Sequence, residues 1–254
     1  KDKVTIKHLL THSSGLKPYI QYFKDNKYKN KDDIIDDIVS NQELIYEPGT
    51  ESKYSDLGMI LLMDISEKVT GRKFEELVSS WILNPLDMDD SSFNPSKNLL
   101  YKIAPTEKDS IFRNTLIHGV VHDENAFIMN GVSGHAGLFS NTYDIANYAQ
   151  MMLNHGIYNG KRIFSNRSIS KFTKRQNMPI NSDFALGWDT PSKKGSTAGD
   201  LFSNYSYGHL GFTGTSLWID SEQNIIIILL TNRVYPSRKK KGMYQLRRSF
   251  HNQV

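Results

Sequence analysis

The sequence predicts an α+β fold: an antiparallel sheet flanked by helices, with a largely helical region ahead of it. Three observations predict it. Apolar residues at helical spacing come early, at 31–40, 54–70 and 73–83. Strand-like residues come late, at 207–219 and 225–230, separated by polar turn residues. Nothing between them alternates strand and helix as a parallel βαβ winding would. The helical region is expected to come mainly from 13–145, and the sheet with a final helix from 146–254.

Taken in order, Thr5 is placed to cap a short helix over 6–12 that Gly15 stops. In 31–40, Ile34, Ile35, Ile38 and Val39 face away from Asp32, Asp33, Asp36 and Asp37. Pro48-Gly49 marks a turn. The 54–70 helix has Gly71 as its C-cap and little polar face, so it should be buried. The next helix, 73–83, stops at Asn84-Pro85. Residues 87–130 lack periodicity and read as loops with short pieces of structure. Thr142 is placed to cap a helix that ends at Gly156, carrying Ile145, Tyr148, Ala149, Met152 and Leu153 on one side. A helix is expected over 166–175, a strand over 184–188 and a last helix over 243–252.

The strand block is the unusual part. Residues 207–219 read as one strand with two different faces, joined through 220–224 to the wholly apolar 225–230. Gly208, Gly211 and Gly214 each weaken a strand, so something is expected to approach the backbone there.

The 254 residues suffice for a real core, and 38% hydrophobic with 11% aromatic content is that of a globular chain. The net charge of +4 reflects a near balance of 31 Lys and Arg against 27 Asp and Glu, with the excess concentrated at 238–241 and 247–248. That pattern does not mark a nucleic-acid binder. There is no cysteine, so disulfide and thiol chemistry are excluded. No apolar run is long enough to span a bilayer. The chain opens at Lys1-Asp2-Lys3-Val4 without Met, as a piece of a longer protein would.

Four stretches form a pattern. Leu9-Leu10-Thr11-His12-Ser13-Ser14-Gly15-Leu16, the block from Pro48-Gly49-Thr50 and Tyr54-Ser55-Asp56 to Asn84-Pro85-Leu86, Gly134-His135-Ala136-Gly137-Leu138-Phe139-Ser140, and His209-Leu210-Gly211 stand in sequence order. Together they resemble the serine β-lactamase and penicillin-binding-protein superfamily, on its class C and esterase-like branch. The resemblance covers nearly the whole chain. It implies a β-lactamase/transpeptidase-like fold whose N-terminal strands and helix are absent here, leaving a sheet edge and an apolar face uncovered. Val121–Ala126, Gly134–Phe139 and Leu230–Pro236 are similar to the subgroup found with peptidoglycan-recycling β-N-acetylglucosaminidases, which includes amidases acting between a muramic lactyl group and L-alanine.

The resemblance implies a bacterial serine hydrolase working through a covalent acyl-enzyme, without a cofactor. Its nucleophile belongs to a Ser-x-x-Lys motif upstream of the Leu-Thr-His block. The local matches at Ser14, Ser168 and Ser237 occur in the wrong settings, so this chain alone is expected to be inactive. Tyr54 is the implied proton shuttle, since nearby positive charge lowers a tyrosine pKa. It is expected at the start of the buried helix, its hydroxyl toward His209–Phe212. Asp56 stands where the family more often has Asn, and is expected to hold a lysine as a charge pair. His209, Gly211 and Phe212 form the third motif, with the Phe212 N–H as an oxyanion donor. Ser55, His122, Glu124, Asn125 and Thr213 are the candidate substrate-binding residues, and His135 is read as holding its loop.

His8 and His12, and His118 and His122, are each four apart, a spacing that suits zinc on a helix. The second pair lies in a stretch without helical periodicity and the first within a motif that needs no metal, so no metal site is expected. The expected substrate is a cell-wall-derived amide, with an N-acetylmuramyl-L-alanine bond first. β-Lactam or D-alanyl peptide hydrolysis, ester hydrolysis, and non-catalytic binding of peptidoglycan fragments are the alternatives. An upstream glycosidase domain and an extracytoplasmic location accompany that reading.

Overall fold

The computed structural model describes residues 1–254. Its first half is helical. Helix α1 (Ile6–Leu10) opens on a capping box in which Thr5 and His8 satisfy each other's backbone N–H groups. Helix α2 (Lys31–Ser40) is capped by Asn30. Helix α3 (Asp56–Thr70) is capped by Ser55 and closed by Gly71 in the left-handed conformation. Helix α4 (Phe74–Val78) widens into a π turn over Ser79–Leu83 and ends in a 3₁₀ turn at Asn84–Leu86. The first helix stops at Leu10 rather than at residue 12, because His12 itself takes a positive φ of 52°.

Leu9, Ile34, Ile35, Ile38, Leu57, Ile60 and Met63 bury one common core among α1, α2 and α3. Each such side chain contributes roughly 1.5–3 kcal/mol on leaving water. Two expectations for this region are corrected. Asp37 lies inside, not opposite the isoleucines, because the Tyr22 and Tyr28 hydroxyls, each at 2.9 Å, donate to its carboxylate. Val39 and Val69 are exposed, so α3 is not buried to its end.

Beyond α4 a two-stranded ribbon pairs β1 (Ser92–Phe93) with β2 (Leu138–Phe139), and the short helix α5 (Glu124–Ile128) lies between them in sequence. Helix α6 (Thr142–Leu153) is capped by Asn141 rather than Thr142, the Asn141 side chain accepting the Asp144 N–H at 2.9 Å. A small hairpin, β3 (Ile157–Tyr158) with β4 (Lys161–Arg162), precedes α7 (Asn166–Thr173).

The main sheet has three antiparallel strands in the order β5 (Tyr207–Leu210), β6 (Ser216–Asp220), β7 (Ile225–Leu229). Helix α8 (Met243–His251) packs on it, Arg247 donating to the Gly211 and Thr215 carbonyls at 2.6 and 2.7 Å. Helix α6 packs against β6 and β7 through Ala149, Met152, Ile219 and Ile226. The far edge of β7 has no strand partner, and no strand forms over 184–188.

The single long strand expected over 207–219 is two strands folded back at Gly211–Thr215, with Gly211 N–H bonded to Thr215 O at 2.8 Å. The glycines are therefore explained by the protein itself. A Cβ on Gly208 would meet Leu217 O and the Trp218 ring at 2.4 Å, and one on Gly211 would meet Thr215 Oγ1 at 2.1 Å. Gly214 has φ of 118°, which only glycine adopts readily.

Candidate active site

The cleft is built around Tyr54. Its ring lies 4.4 Å from that of His12 and 5.9 Å from that of His209, centroid to centroid. Tyr54 precedes the cap of α3 and so sits outside the helix, a correction to its expected place on the first turn. The cause is Ser55, whose hydroxyl accepts the Gly58 N–H at 3.2 Å and donates to Lys17 O at 2.8 Å. Ser55 is buried with both partners inside the chain, so its hydroxyl holds the fold and is not offered to a substrate.

His12 forms the floor. Its Nδ1 accepts the Ser55 N–H at 3.1 Å, and its ring is buried against Phe184 as well as Tyr54. Burial, with the charge of His209 added, lowers its pKa to about 3, so it stays neutral. The Leu-Thr-His block thus supplies a neutral platform. Tyr54 is 39% exposed, open to solvent on one side and enclosed by protein on the others. Its hydroxyl has no hydrogen-bond partner in the chain. Burial, then the carboxylates of Asp56, Asp189 and Asp123, push its pKa above the ordinary tyrosine range. This is opposite to the lowering expected beside a lysine, because the charged neighbours this chain supplies are acids.

Two residues that sequence reasoning placed in loops belong to this cleft. The carboxylates of Asp56 and Asp123 and the His135 imidazole have ligand atoms within 4.8 Å of one another. Asp123 caps α5 through the Ala126 N–H at 2.7 Å and accepts from His135 Nε2 at 3.0 Å. His135 Nδ1 bonds Ser133 Oγ at 2.7 Å. These are residue types that hold divalent ions, but both ring nitrogens are already occupied within the chain, which suits proton sharing rather than ligation. Gly134 explains how the loop reaches α3, since a Cβ there would lie 2.2 Å from Met59 O. The Gly-His-Ala-Gly spelling was the available signal: a histidine between glycines on a backbone pressed against a helix. The histidine pairs at spacing four do not come together; His8 serves the α1 cap, while His118 bonds the Leu100 and Ile103 carbonyls.

The opposite wall is the β5–β6 turn. His209 is half-buried, with Nδ1 3.0 Å from Leu210 O. Phe212 is 58% exposed, and its N–H donates to nothing within the chain. Arg233 donates from Nε to Phe212 O at 2.7 Å and lies 4.4 Å over its ring. Thr213 accepts the Arg233 N–H on its carbonyl at 2.8 Å, leaving its hydroxyl unengaged. Asp189 flanks β5 through paired backbone bonds with Gly208 at 2.8 and 2.9 Å.

The three expected substrate contacts in the 121–126 loop are turned inward. His122 Nε2 meets Glu107 at 2.8 Å and stacks its ring 5.7 Å from Phe212. Glu124 is buried and pairs with Arg238 at 2.7 Å, and Arg238 also pairs with Glu107 at 2.6 Å. Asn125 is buried and donates to Ile20 O at 2.8 Å. These side chains brace the wall, because an unpaired buried charge or amide is costly. Asp109 and Arg113 brace it further: Asp109 accepts the Ile111, Phe112 and Arg113 N–H groups at 2.7, 3.1 and 2.9 Å, and Arg113 donates to Val121 O at 2.7 Å. The hydroxyls of Ser14, Ser168 and Ser237 are engaged locally, with Leu16 N–H, Ser165 and Lys239 N–H.

The comparisons agree with this architecture. The family model described as Beta-lactamase matches residues 1–251, and the chain belongs to that family. A Salmonella typhi protein named "Putative D-alanyl-D-alanine carboxypeptidase" is 35% identical over 252 aligned positions, covering 92% of this chain and 58% of that protein. The chain thus spans less than three fifths of that relative. A penicillin binding protein from Bacillus halodurans superposes with a TM-score of 0.70 at 18% identity, covering 99% of this chain and 73% of that one. The octameric penicillin-binding protein homologue from Pyrococcus abyssi gives 0.65 at 24% identity, covering 96% and 55%. These structural likenesses speak to the fold. No helix is long and apolar enough to cross a membrane.

Proposed function

We propose that this chain is the greater part of a serine acyl-hydrolase that opens a cell-wall-derived peptide amide through a covalent acyl-enzyme. The observation that carries the reading is Tyr54, a solvent-open phenol with an unbonded hydroxyl whose ring lies beside those of His12 and His209, the latter on the strand leading into a turn whose Phe212 N–H is unpaired. A hydroxyl nucleophile needs a base beside it, and an oxyanion needs a free N–H. Tyr54 fills the first role only where a cation lowers its pKa. The Asp56, Asp123 and Asp189 carboxylates around it make a receptor for such a cation, the ammonium of a Ser-x-x-Lys motif. Asp56 is thereby its charge partner.

For the substrate, the relatives' name supports a peptide ending in D-alanyl-D-alanine. Arg233, whose guanidinium covers the Phe212 ring, suits the terminal carboxylate of such a peptide. The muramyl-L-alanine amide has less support, since the 121–126 loop that motivated it points its side chains inward. An extracytoplasmic setting follows from the same substrate class.

The test is covalent labelling. Full-length protein is incubated with a fluorescent penicillin and the labelled peptide is identified by mass spectrometry, alongside the 254-residue chain alone. Labelling of an upstream serine in the full-length protein only, with D-alanine released from a D-alanyl-D-alanine peptide, supports the proposal. Labelling at Ser14, Ser168 or Ser237 misplaces the nucleophile. Saturable peptide binding with no labelling and no release points to a non-catalytic peptidoglycan binder.

A further inference from the structure

The Ser133–His135–Asp123 chain of hydrogen bonds ties the 133–137 loop to the start of α5, and it is not the only hold on either. Asp123 already caps α5 through the Ala126 N–H, and the 133–137 loop is already pinned against α3 at Gly134. A histidine with 3% of its side chain exposed needs its ring nitrogens paired, and both are: Nδ1 with Ser133 and Nε2 with the Asp123 carboxylate. Its Nε2 is aimed at one carboxylate and lies in a cluster with a second, Asp56, two residues from Tyr54.

We propose that His135, clamped between Ser133 and Asp123, is a positioning residue whose imidazolium is the standing counter-charge that keeps Asp56 ionised beside Tyr54. The inference deepens the acyl-hydrolase reading and rests on it for its kinetic consequence, though not for its electrostatic one.

The surroundings support it. From the first turn of α3 comes Asp56, with Tyr54 just before its cap; from the start of α5, Asp123 and Glu124; from the 133–137 loop, His135; from the segment before α2, Tyr19; from β5, His209, with Asp189 beside it; from the floor, His12. Glu124 is paired with Arg238 at 2.7 Å, which it shares with Glu107, and His12 is neutral. That leaves Asp56 and Asp123 with His135 as the nearest cation. Burial works against a charged His135, but the hydrogen bond it donates to Asp123 and the charges of Asp123 and Asp56 outweigh it and raise its pKa. Burial raises the Asp56 pKa to about 6, with His135 pulling it down and Asp123 pushing it up. Without the imidazolium, Asp56 would take up a proton near neutrality and lose its hold on any cation bound there. The two carboxylates and the ring titrate together, so the measured midpoints belong to the cluster.

The experiment is NMR on the full-length protein, with ¹⁵N-labelled histidine and ¹³Cγ-labelled aspartate, from pH 5 to 9. His135 is expected to carry protons on both ring nitrogens at pH 7, with a midpoint above the ordinary value of about 6.5. The His135→Gln variant should raise the Asp56 midpoint by about one unit or more, a tenfold or greater change in proton affinity. Where hydrolysis is measurable, the acid limb of kcat/KM should move up by the same amount. If His135→Gln does not fold, Ser133→Ala keeps the imidazole, removes its Nδ1 partner, and should lower the His135 midpoint. A neutral His135 at pH 7 in the unaltered protein overturns the proposal. So does an Asp56 midpoint that ignores the loss of the imidazole. A protein that hydrolyses nothing defeats the functional reading but leaves these titrations to decide this one.

Discussion

Replacing Tyr54 by Phe removes one hydroxyl and nothing else. That hydroxyl bonds no group in the chain, and the ring's packing on His12 at 4.4 Å is retained. No donor or acceptor is stranded, so the stability change should stay within about 0.5 kcal/mol, as for a surface substitution. Unfolding entropy scales at about 2.1 cal/mol/K per residue, so 254 residues give roughly 0.5 kcal/mol/K. The melting temperature of the full-length protein should therefore move by no more than about 1 °C. A lost proton shuttle lowers the rate constant by about 10²–10⁴. Differential scanning calorimetry and stopped-flow acylation on one preparation measure both quantities. Unchanged acylation per folded molecule would remove Tyr54 from the chemistry. A melting temperature several degrees lower would make the hydroxyl structural and refute the geometry argued above.

Further outcomes are expected. Asp109→Ala strands three N–H groups and the Arg113 guanidinium behind the cleft wall, and should cost about 3 kcal/mol, near 6 °C in a thermal melt. Against burial, which raises them, the pKa values of Asp37, Glu107, Asp109 and Asp123 are held down by the hydrogen bonds they accept. Their contribution is present above their unfolded values near 4 and is lost as pH falls through the folded ones, so urea midpoints should drop steeply below about pH 4. His135 acts the other way: its contribution is present below its unfolded value and is lost as pH rises through its raised folded pKa. The unpaired edge of the five-residue apolar β7 should make the 254-residue chain self-associate. Light scattering should show this, and Ile228→Lys should reduce it.

The helices were legible because their signals are local. The 31–40 helix matches at both ends, and Gly71 terminates α3 as read. The β5–β6 turn was not legible, since Gly211 and Gly214 fit a weakened strand as well as a tight turn, and the choice is made by Thr215 and Trp218 packing against them. Tyr54, Asp56 and His209 could be chosen from motifs, and the structure brings them to one cleft. The 122–125 side chains could not be sorted into wall and lining, because their partners, Glu107, Arg238 and Ile20, are far away in the chain. Asp123 and His135 were in view as letters, but only the fold shows that they share a cluster with Asp56.

Arg238 joins Glu107 and Glu124 across separations of 131 and 114 residues. A ribosome therefore exposes the whole helical half, and all three strands of the main sheet, before the residue that clamps the cleft wall has emerged. Closing loops of that length carries an entropic cost that short-range contacts do not meet. The wall carrying His122 and Glu124 should accordingly be among the last parts to become protected from hydrogen exchange during folding. It should also be the first to open when residues after Val234 are cut away, with the α1–α3 core still intact.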